Sequence, residues 1–208
     1  MISNLGNGVA NPVAEVIRDQ QGRIYGTGYD GGFLGWGTVF ELFPKSASPK
    51  VLFNFLDVGL SYPEGQLWQD SRGNLFGTTT GYSVFYTGTV FELQPNSDGS
   101  WTEKTLHRFN QAPFDGYFPV CGVIPGPNGS LYGVAFDGGE NYAGIVYQMV
   151  PGSNDTWTEE ILHEFGTTPS DGSGPAGELT MAPDGTLYGT TFGGFGSAAW
   201  GTVFEVKP

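Results

Sequence analysis

A fourfold internal repeat constrains this chain more than any other feature. The segments PVAEVIRDQQGRIYGTG (12–28), PEGQLWQDSRGNLFGTT (63–79), PVCGVIPGPNGSLYGVA (119–135) and PAGELTMAPDGTLYGTT (175–191) align without gaps. Their leading prolines, Pro12, Pro63, Pro119 and Pro175, stand 51, 56 and 56 residues apart. A second block follows each time: GTVFELFP (37–44), GTVFELQP (88–95), GIVYQMVP (144–151) and GTVFEVKP (201–208). A third occurs three times, as KVLFNF (50–55), WTEKTLHRF (101–109) and WTEEILHEF (157–165). A fold that accepts such a chain must repeat one supersecondary unit four times.

Each unit reads as four β-strands, here A to D. Strand A ends at a turn around Gly22, Gly73, Gly129 or Gly185, where a positive φ is easiest for glycine. Strand B is short and aromatic (Tyr25, Phe76, Tyr132, Tyr188), and a glycine-rich loop leads to strand C, the β-branched GTVF block. In strand D of the third unit, Trp157, Ile161 and Phe165 share one parity, which predicts a common face. No segment carries helical periodicity. Four strands per 51–56 residues, repeated radially, is the pattern of β-propeller blades. The expected fold is therefore all-β: one small propeller domain over 1–208, with blades at about 12–55, 63–109, 119–165 and 175–208. The N-terminal stub, residues 1–5, falls where a strand D would precede Pro12, so it is expected to complete the last blade. Packing without that strand, or two chains sharing a larger ring, are the alternatives, so the chain is expected to be a monomer or a homodimer.

Composition enters in three places. Glycine makes up 35 of 208 residues, yet aromatics reach 15% and charged residues only 14%, so the glycine punctuates a packed chain rather than a disordered one. A net charge of −13 opposes binding to nucleic acid, whose affinity comes from cationic side chains on phosphates, and opposes anionic membrane surfaces. No apolar run is long enough for a spanning helix, so membrane insertion is not expected, and the opening MISNLGNGVA has no leader pattern. A lone cysteine, Cys121, forbids an intrachain disulfide and aligns with Ala14, Gly65 and Gly177, a slot for small residues.

The YGTT, DGG, GTVFEL and WTE-type blocks resemble the GloVer tandem-repeat proteins, bacterial cell-surface or secreted proteins named for the Gloeobacter and Verrucomicrobia groups. The similarity runs over roughly residues 12–208. The resemblance implies a repeat-built protein that is secreted or displayed at the cell surface. It supplies no catalytic motif to place on this chain, and no sorting tail is visible.

Blade topology places the B–C and D–A connections at one end. There the B–C loops carry an aromatic just before each strand C glycine: Trp36, Tyr86, Tyr142 and Trp200. Asp30 and Asp137 lead two Asp-Gly-Gly pieces, and the D–A loops add Asp57, Asp115, Asp171, Tyr62 and Tyr117. Aromatic faces beside carboxylate acceptors suit a neutral sugar, so Trp36, Tyr86, Tyr142, Trp200, Asp30, Asp137, Asp115 and Asp171 are the candidate ligand-binding residues. Packing between blades explains the aromatics equally well, and turn chemistry explains the Asp-Gly pieces. Ca²⁺ has carboxylates available but no DxDxDG loop, so no metal or other cofactor is expected. His107 and His163 share one strand slot with Phe53, which reads as strand packing. Catalytic residues are unassigned. The leading expectation is a propeller that binds carbohydrate or another cell-surface ligand. The alternatives are a polysaccharide-active hydrolase or lyase with acids at the same end, and a structural assembly module.

Overall fold

A computed structural model of the chain describes residues 8–46, 48–82, 87–110, 114–168, 170–194 and 200–208. The expected N-terminal stub, residues 1–5, lies outside the described residues. The chain divides into two compact units, Met1–Arg108 and Phe109–Pro208. Each holds two antiparallel four-stranded sheets of the propeller-blade type.

In the first unit the strands are β1 (Val9–Ala10), β2 (Ile17–Arg18), β3 (Ile24–Gly28), β4 (Asp30–Gly31), β5 (Thr38–Leu42), β6 (Lys50–Asn54), β7 (Trp68–Gln69), β8 (Leu75–Thr79), β9 (Thr89–Pro95) and β10 (Trp101–Arg108). Blade 1 runs β2-β3-β5-β6 and blade 2 runs β7-β8-β9-β10, so strands A to D neighbour one another in chain order. The second unit holds β11 (Gly116–Tyr117), β12 (Ile124–Pro125), β13 (Leu131–Ala135), β14 (Asp137–Gly138), β15 (Ile145–Pro151), β16 (Trp157–Glu164), β17 (Ser173–Pro175), β18 (Thr180–Met181), β19 (Leu187–Gly193) and β20 (Val203–Val206). Blade 3 is β12-β13-β15-β16. In blade 4, β19 pairs β18 and β20, and its last residues pair β17, which supplies the fourth described strand. Among the described residues no helix is long and apolar enough to cross a membrane.

The repeated residues explain the blade. The A–B turn glycines Gly22, Gly73, Gly129 and Gly185 all take φ between 78° and 90°, a conformation a side chain would strain. Along strand B, Gly26 and Gly77 lie under the strand C rings of Phe40 and Phe91, where an added Cβ would stand 2.7 Å from each ring's Cζ. The aromatic of GTVF thus needs the glycine of YGT, and the two motifs form one packing device.

Strand D departs from simple alternation. In blades 1 to 3 the C–D register shifts at Leu52, Leu106 and Leu162, one β-bulge per blade at the same repeat position. The bulge reverses the parity beyond it. Trp157 and Ile161 share a face, but Phe165 turns to the opposite one, beside Val146 and His163, which corrects the expected common face. There Phe165 is fully buried, with its ring against His163 and Phe204 at 4.7 and 4.9 Å.

The cores lie between successive blades. In the first unit Tyr25, Val39 and Phe55 of blade 1 meet Leu67, Leu75, Phe91 and Leu93 of blade 2. In the second, Tyr132, Val134, Val146 and Phe165 of blade 3 meet Leu179 and Leu187 of blade 4, with Cys121 buried among them.

Candidate functional site

The D–A segments do not simply pass between blades. β1 pairs β4, β11 pairs β14 and β17 pairs the end of β19, so each D–A segment adds a short ladder to the start of a B–C loop. In blade 2 the Thr80 amide donates to the Tyr62 carbonyl at 3.0 Å, and the Gly81 amide to the Ser61 carbonyl at 2.9 Å. The two loop sets therefore share one end, as blade topology requires. The Asp-Gly-Gly pieces are ladder residues: β4 and β14 are their Asp-Gly portions, and Gly31 and Gly138 take φ of 93° and 101°.

A left-handed residue accompanies each D–A segment. The position before each leading proline is left-handed: Asn11 (φ 47°), Tyr62 (62°), Phe118 (59°) and Gly174 (64°). For a bulky side chain this costs on the order of 1–3 kcal/mol, and the following proline narrows the choices further. At Tyr62 the conformation is held by bonding on both sides. The Tyr62 amide donates to the Trp36 carbonyl at 2.9 Å, and the Tyr62 carbonyl accepts from Thr80. One such bond holds each of two others: the Gly174 amide donates to the Ala143 carbonyl at 2.8 Å, and the Phe118 carbonyl accepts from the Phe136 amide at 3.0 Å.

In the first unit this backbone presents Tyr62 in the middle of a row of tyrosines. Its ring lies 4.7 Å from that of Tyr29, tilted by 34°, and 5.9 Å from that of Tyr82, stacked within 26°. Tyr82 is 63% exposed, while Tyr29 and Tyr62 are half-buried. Carboxylates edge the row. Burial raises the Tyr29 hydroxyl above the ordinary phenol range, and Glu64, Asp30 and Tyr62 add to it. Tyr62 is raised by burial, then by Asp30 and Tyr82. Glu64 is half-buried, and that burial holds its carboxyl above the usual range. Asp30 accepts from the Asn11 side-chain amide at 2.5 Å.

The second unit has a related, less continuous arrangement. Phe136 packs over Gly174, with its ring 6.3 Å from that of Phe192. Asp137 is raised by burial, and Tyr117 by burial, then by Asp137 and Tyr142.

The residues expected from the sequence separate into groups. Trp36 packs on the first unit's core, while Asp30 lies at the tyrosine row. Tyr86 lies outside the described residues. Tyr142 is 72% exposed near Asp137 and Tyr117, and Trp200 is 84% exposed. Asp115 accepts the Asn110 amide at 2.8 Å, holding its own loop. Asp171 accepts from the Thr167 amide and hydroxyl at 3.1 and 2.9 Å and pairs with His163 at 3.0 Å. Tyr29, Tyr82 and Glu64 carry the row without standing out in the sequence. Tyr29 precedes Asp30 directly and Glu64 follows Pro63, so their signal was adjacency to a repeat landmark.

Comparison with known proteins gives a family and a fold. A model of the Gloeobacter/Verrucomicrobia repeat matches residues 3–126. No curated protein matches the chain. Among solved structures, the α-L-arabinanase of Penicillium chrysogenum, complexed with arabinobiose, superposes with a TM-score of 0.57 at 12% identity, covering 95% of this chain and 66% of its own. The α-L-arabinofuranosidase of Fusarium graminearum, with an iminosugar inhibitor, gives 0.58 at 11%, covering 98% and 66%. A family 25 polysaccharide lyase, an ulvan lyase bound to a GlcA–Rha3S saccharide, gives 0.53 at 14%, covering 89% and 47%. The chain spans less than two thirds of each of these proteins, and at such identities the likeness is one of fold.

Proposed function

Because the chain belongs to the Gloeobacter/Verrucomicrobia repeat family, we propose that it is an extracellular propeller module that binds a neutral polysaccharide along the Tyr29–Tyr62–Tyr82 row. One observation carries this reading: three tyrosine rings follow one another, with the left-handed Tyr62 in the middle, edged by Asp30 and Glu64. Sugar rings present C–H faces that stack on aromatics, and carboxylates accept from their hydroxyl groups. The net charge of −13 favours a neutral chain over an anionic one. That similar folds hold arabinobiose and a GlcA–Rha3S saccharide supports carbohydrate as the ligand class. The extracellular location rests on the resemblance to secreted and surface repeat proteins.

Affinity electrophoresis and calorimetry against neutral polysaccharides, arabinan among them, test the reading. Tyr82→Ala removes an exposed ring and should weaken binding by about 1 kcal/mol, roughly fivefold in Kd. No binding by the wild-type chain to any member of the panel, or binding indifferent to both Tyr82→Ala and Tyr29→Ala, overturns it. The raised Glu64 carboxyl favours a second reading, in which it acts as a general acid on a bound glycoside. Product release from the same panel, abolished by Glu64→Gln while binding persists, separates catalysis from binding.

A further inference from the structure

Blade 3 departs from the repeat at two adjacent positions of its D–A segment. In blades 1 and 3 that segment pairs with the Asp-Gly portion of the B–C loop, and the register sets Ala10 opposite Asp30 and Tyr117 opposite Asp137. The slot of Tyr117 holds a small residue in the other three units: Ala10, Ser61 and Ser173. The next residue is the left-handed one, and Phe118 stands where blade 1 has Asn11. In blade 1 the Asn11 side-chain amide donates to Asp30. A phenyl ring has no such hydrogen, and among the described residues none donates a hydrogen bond to Asp137. The two departures leave a half-buried carboxylate with its acceptors open, directly across the ladder from a phenol.

Tyr142 completes the group. It is exposed and left-handed at φ 54°, and its amide donates to the Gly139 carbonyl at 3.2 Å, closing a turn just after the Asp-Gly portion. Asp137 and Tyr142 both act on the Tyr117 hydroxyl, so one half-buried and one exposed phenol accompany a single carboxylate. A carboxylate beside aromatic rings suits an ammonium group, which donates three hydrogen bonds and is attracted to ring faces. Charge favours a cation over a neutral hydroxyl. Residues 109–208 carry eleven Asp and Glu against one Lys and no Arg. That residue, Lys207, acts on Asp184 at the A–B turn of blade 4, and His163, the unit's one histidine, bonds Asp171. The unit's own cations are thus placed at other acids.

We propose that Asp137, Tyr117 and Tyr142 form a second carbohydrate site, selective for a sugar that carries a free ammonium group, such as a glucosamine unit. Asp137 accepts from the ammonium, the Tyr142 ring offers its exposed face to the sugar, and the Tyr117 hydroxyl bonds a neighbouring sugar hydroxyl. The site lies wholly within the second unit and uses no member of the Tyr29–Tyr62–Tyr82 row. Its carbohydrate class rests on the reading proposed above, whereas its charge selectivity rests on the open acceptors of Asp137 and the acidic surroundings.

Calorimetry of the intact chain at physiological salt, with a chitosan oligomer and with its fully N-acetylated counterpart, tests this. The charged oligomer should bind, and the acetylated one should bind about tenfold more weakly, because an amide carries no charge. Asp137→Asn should weaken the charged oligomer about tenfold, while Glu160→Gln, an equal loss of charge at an exposed position of strand D, should leave it unchanged. Tyr117→Ser installs the residue that Ser61 and Ser173 hold and should weaken binding about threefold. Phe118→Asn supplies the donor that Asn11 gives to Asp30, so it should weaken binding while the thermal transition is retained. A chain that binds no neutral polysaccharide, yet keeps an Asp137-dependent preference for the charged oligomer, refutes the tyrosine row and supports this site. Equal affinity for the two oligomers overturns the proposal. So does a Glu160→Gln effect as large as that of Asp137→Asn, or a lysine-rich peptide that binds Asp137-dependently and more tightly than the oligomer.

Discussion

Tyr147 is the one non-phenylalanine among four equivalent strand C rings, the others being Phe40, Phe91 and Phe204. It is fully buried, its ring lies edge-on to Phe109 at 5.2 Å, and its hydroxyl reaches over Gly133. That hydroxyl finds no hydrogen-bond partner among the described residues, and burial raises its pKa well above the ordinary phenol range, with Glu159, Cys121 and Glu178 adding to the shift. A buried polar group without a partner costs about 1–3 kcal/mol. Tyr147→Phe removes the hydroxyl and leaves a gap of one oxygen atom, which forfeits a fraction of a kcal/mol in dispersion contacts. The net gain is about 1 kcal/mol, a rise in Tm of roughly 2–4 °C for a chain of this length. The reciprocal change, Phe91→Tyr, places a hydroxyl over Gly77 beside Leu67 and should lower Tm by at least as much. Thermal and urea denaturation of both variants provide the measurement. A fall in Tm for Tyr147→Phe would refute the reasoning, since it would mean that the native hydroxyl is satisfied, by Glu159 or by a buried water.

Two further outcomes follow from the geometry. Gly77→Ala puts a methyl 2.7 Å from Phe91 Cζ and 2.9 Å from Leu67 Cδ2 in a filled core, so it should cost about 1–3 kcal/mol, read as an earlier urea midpoint. At Asp171, burial raises the carboxyl, but bonds from the Thr167 amide, His163 and the Thr167 hydroxyl outweigh it and hold the net pKa below the usual value. A depressed folded-state pKa stabilises above the unfolded value of about 3.9 and is lost as pH falls through the folded one. Tm measured from pH 7 downward should therefore fall less steeply in that acid range for Asp171→Asn than for wild type.

Much of the blade was legible because its signals are local. A turn needing positive φ selects glycine at Gly22, Gly73, Gly129 and Gly185, and β-branched and aromatic runs mark strands B and C. The D-strand bulges were not legible. A single unpaired residue at Leu52, Leu106 or Leu162 leaves no trace in composition, yet it reverses the parity of everything after it. The site divides in the same way. Its end of the blade followed from strand order alone, as did the presence of aromatics and acids there. The sequence singled out Trp36 by its repeat position, while the fold turns that ring onto the core.

The repeat, by itself, determined the number of blades, their strand order and the family, since each depends on spacings along one chain. Only the tertiary structure decided which rings stack. Tyr29 and Tyr62 are 33 positions apart and meet because a left-handed Tyr62, bonded to Trp36 on one side and Thr80 on the other, brings blade 2 against blade 1. The physical reason is one of range: turns and strand periods are settled between near neighbours. Stacking and burial are settled between residues that only the folded backbone brings within a few ångströms.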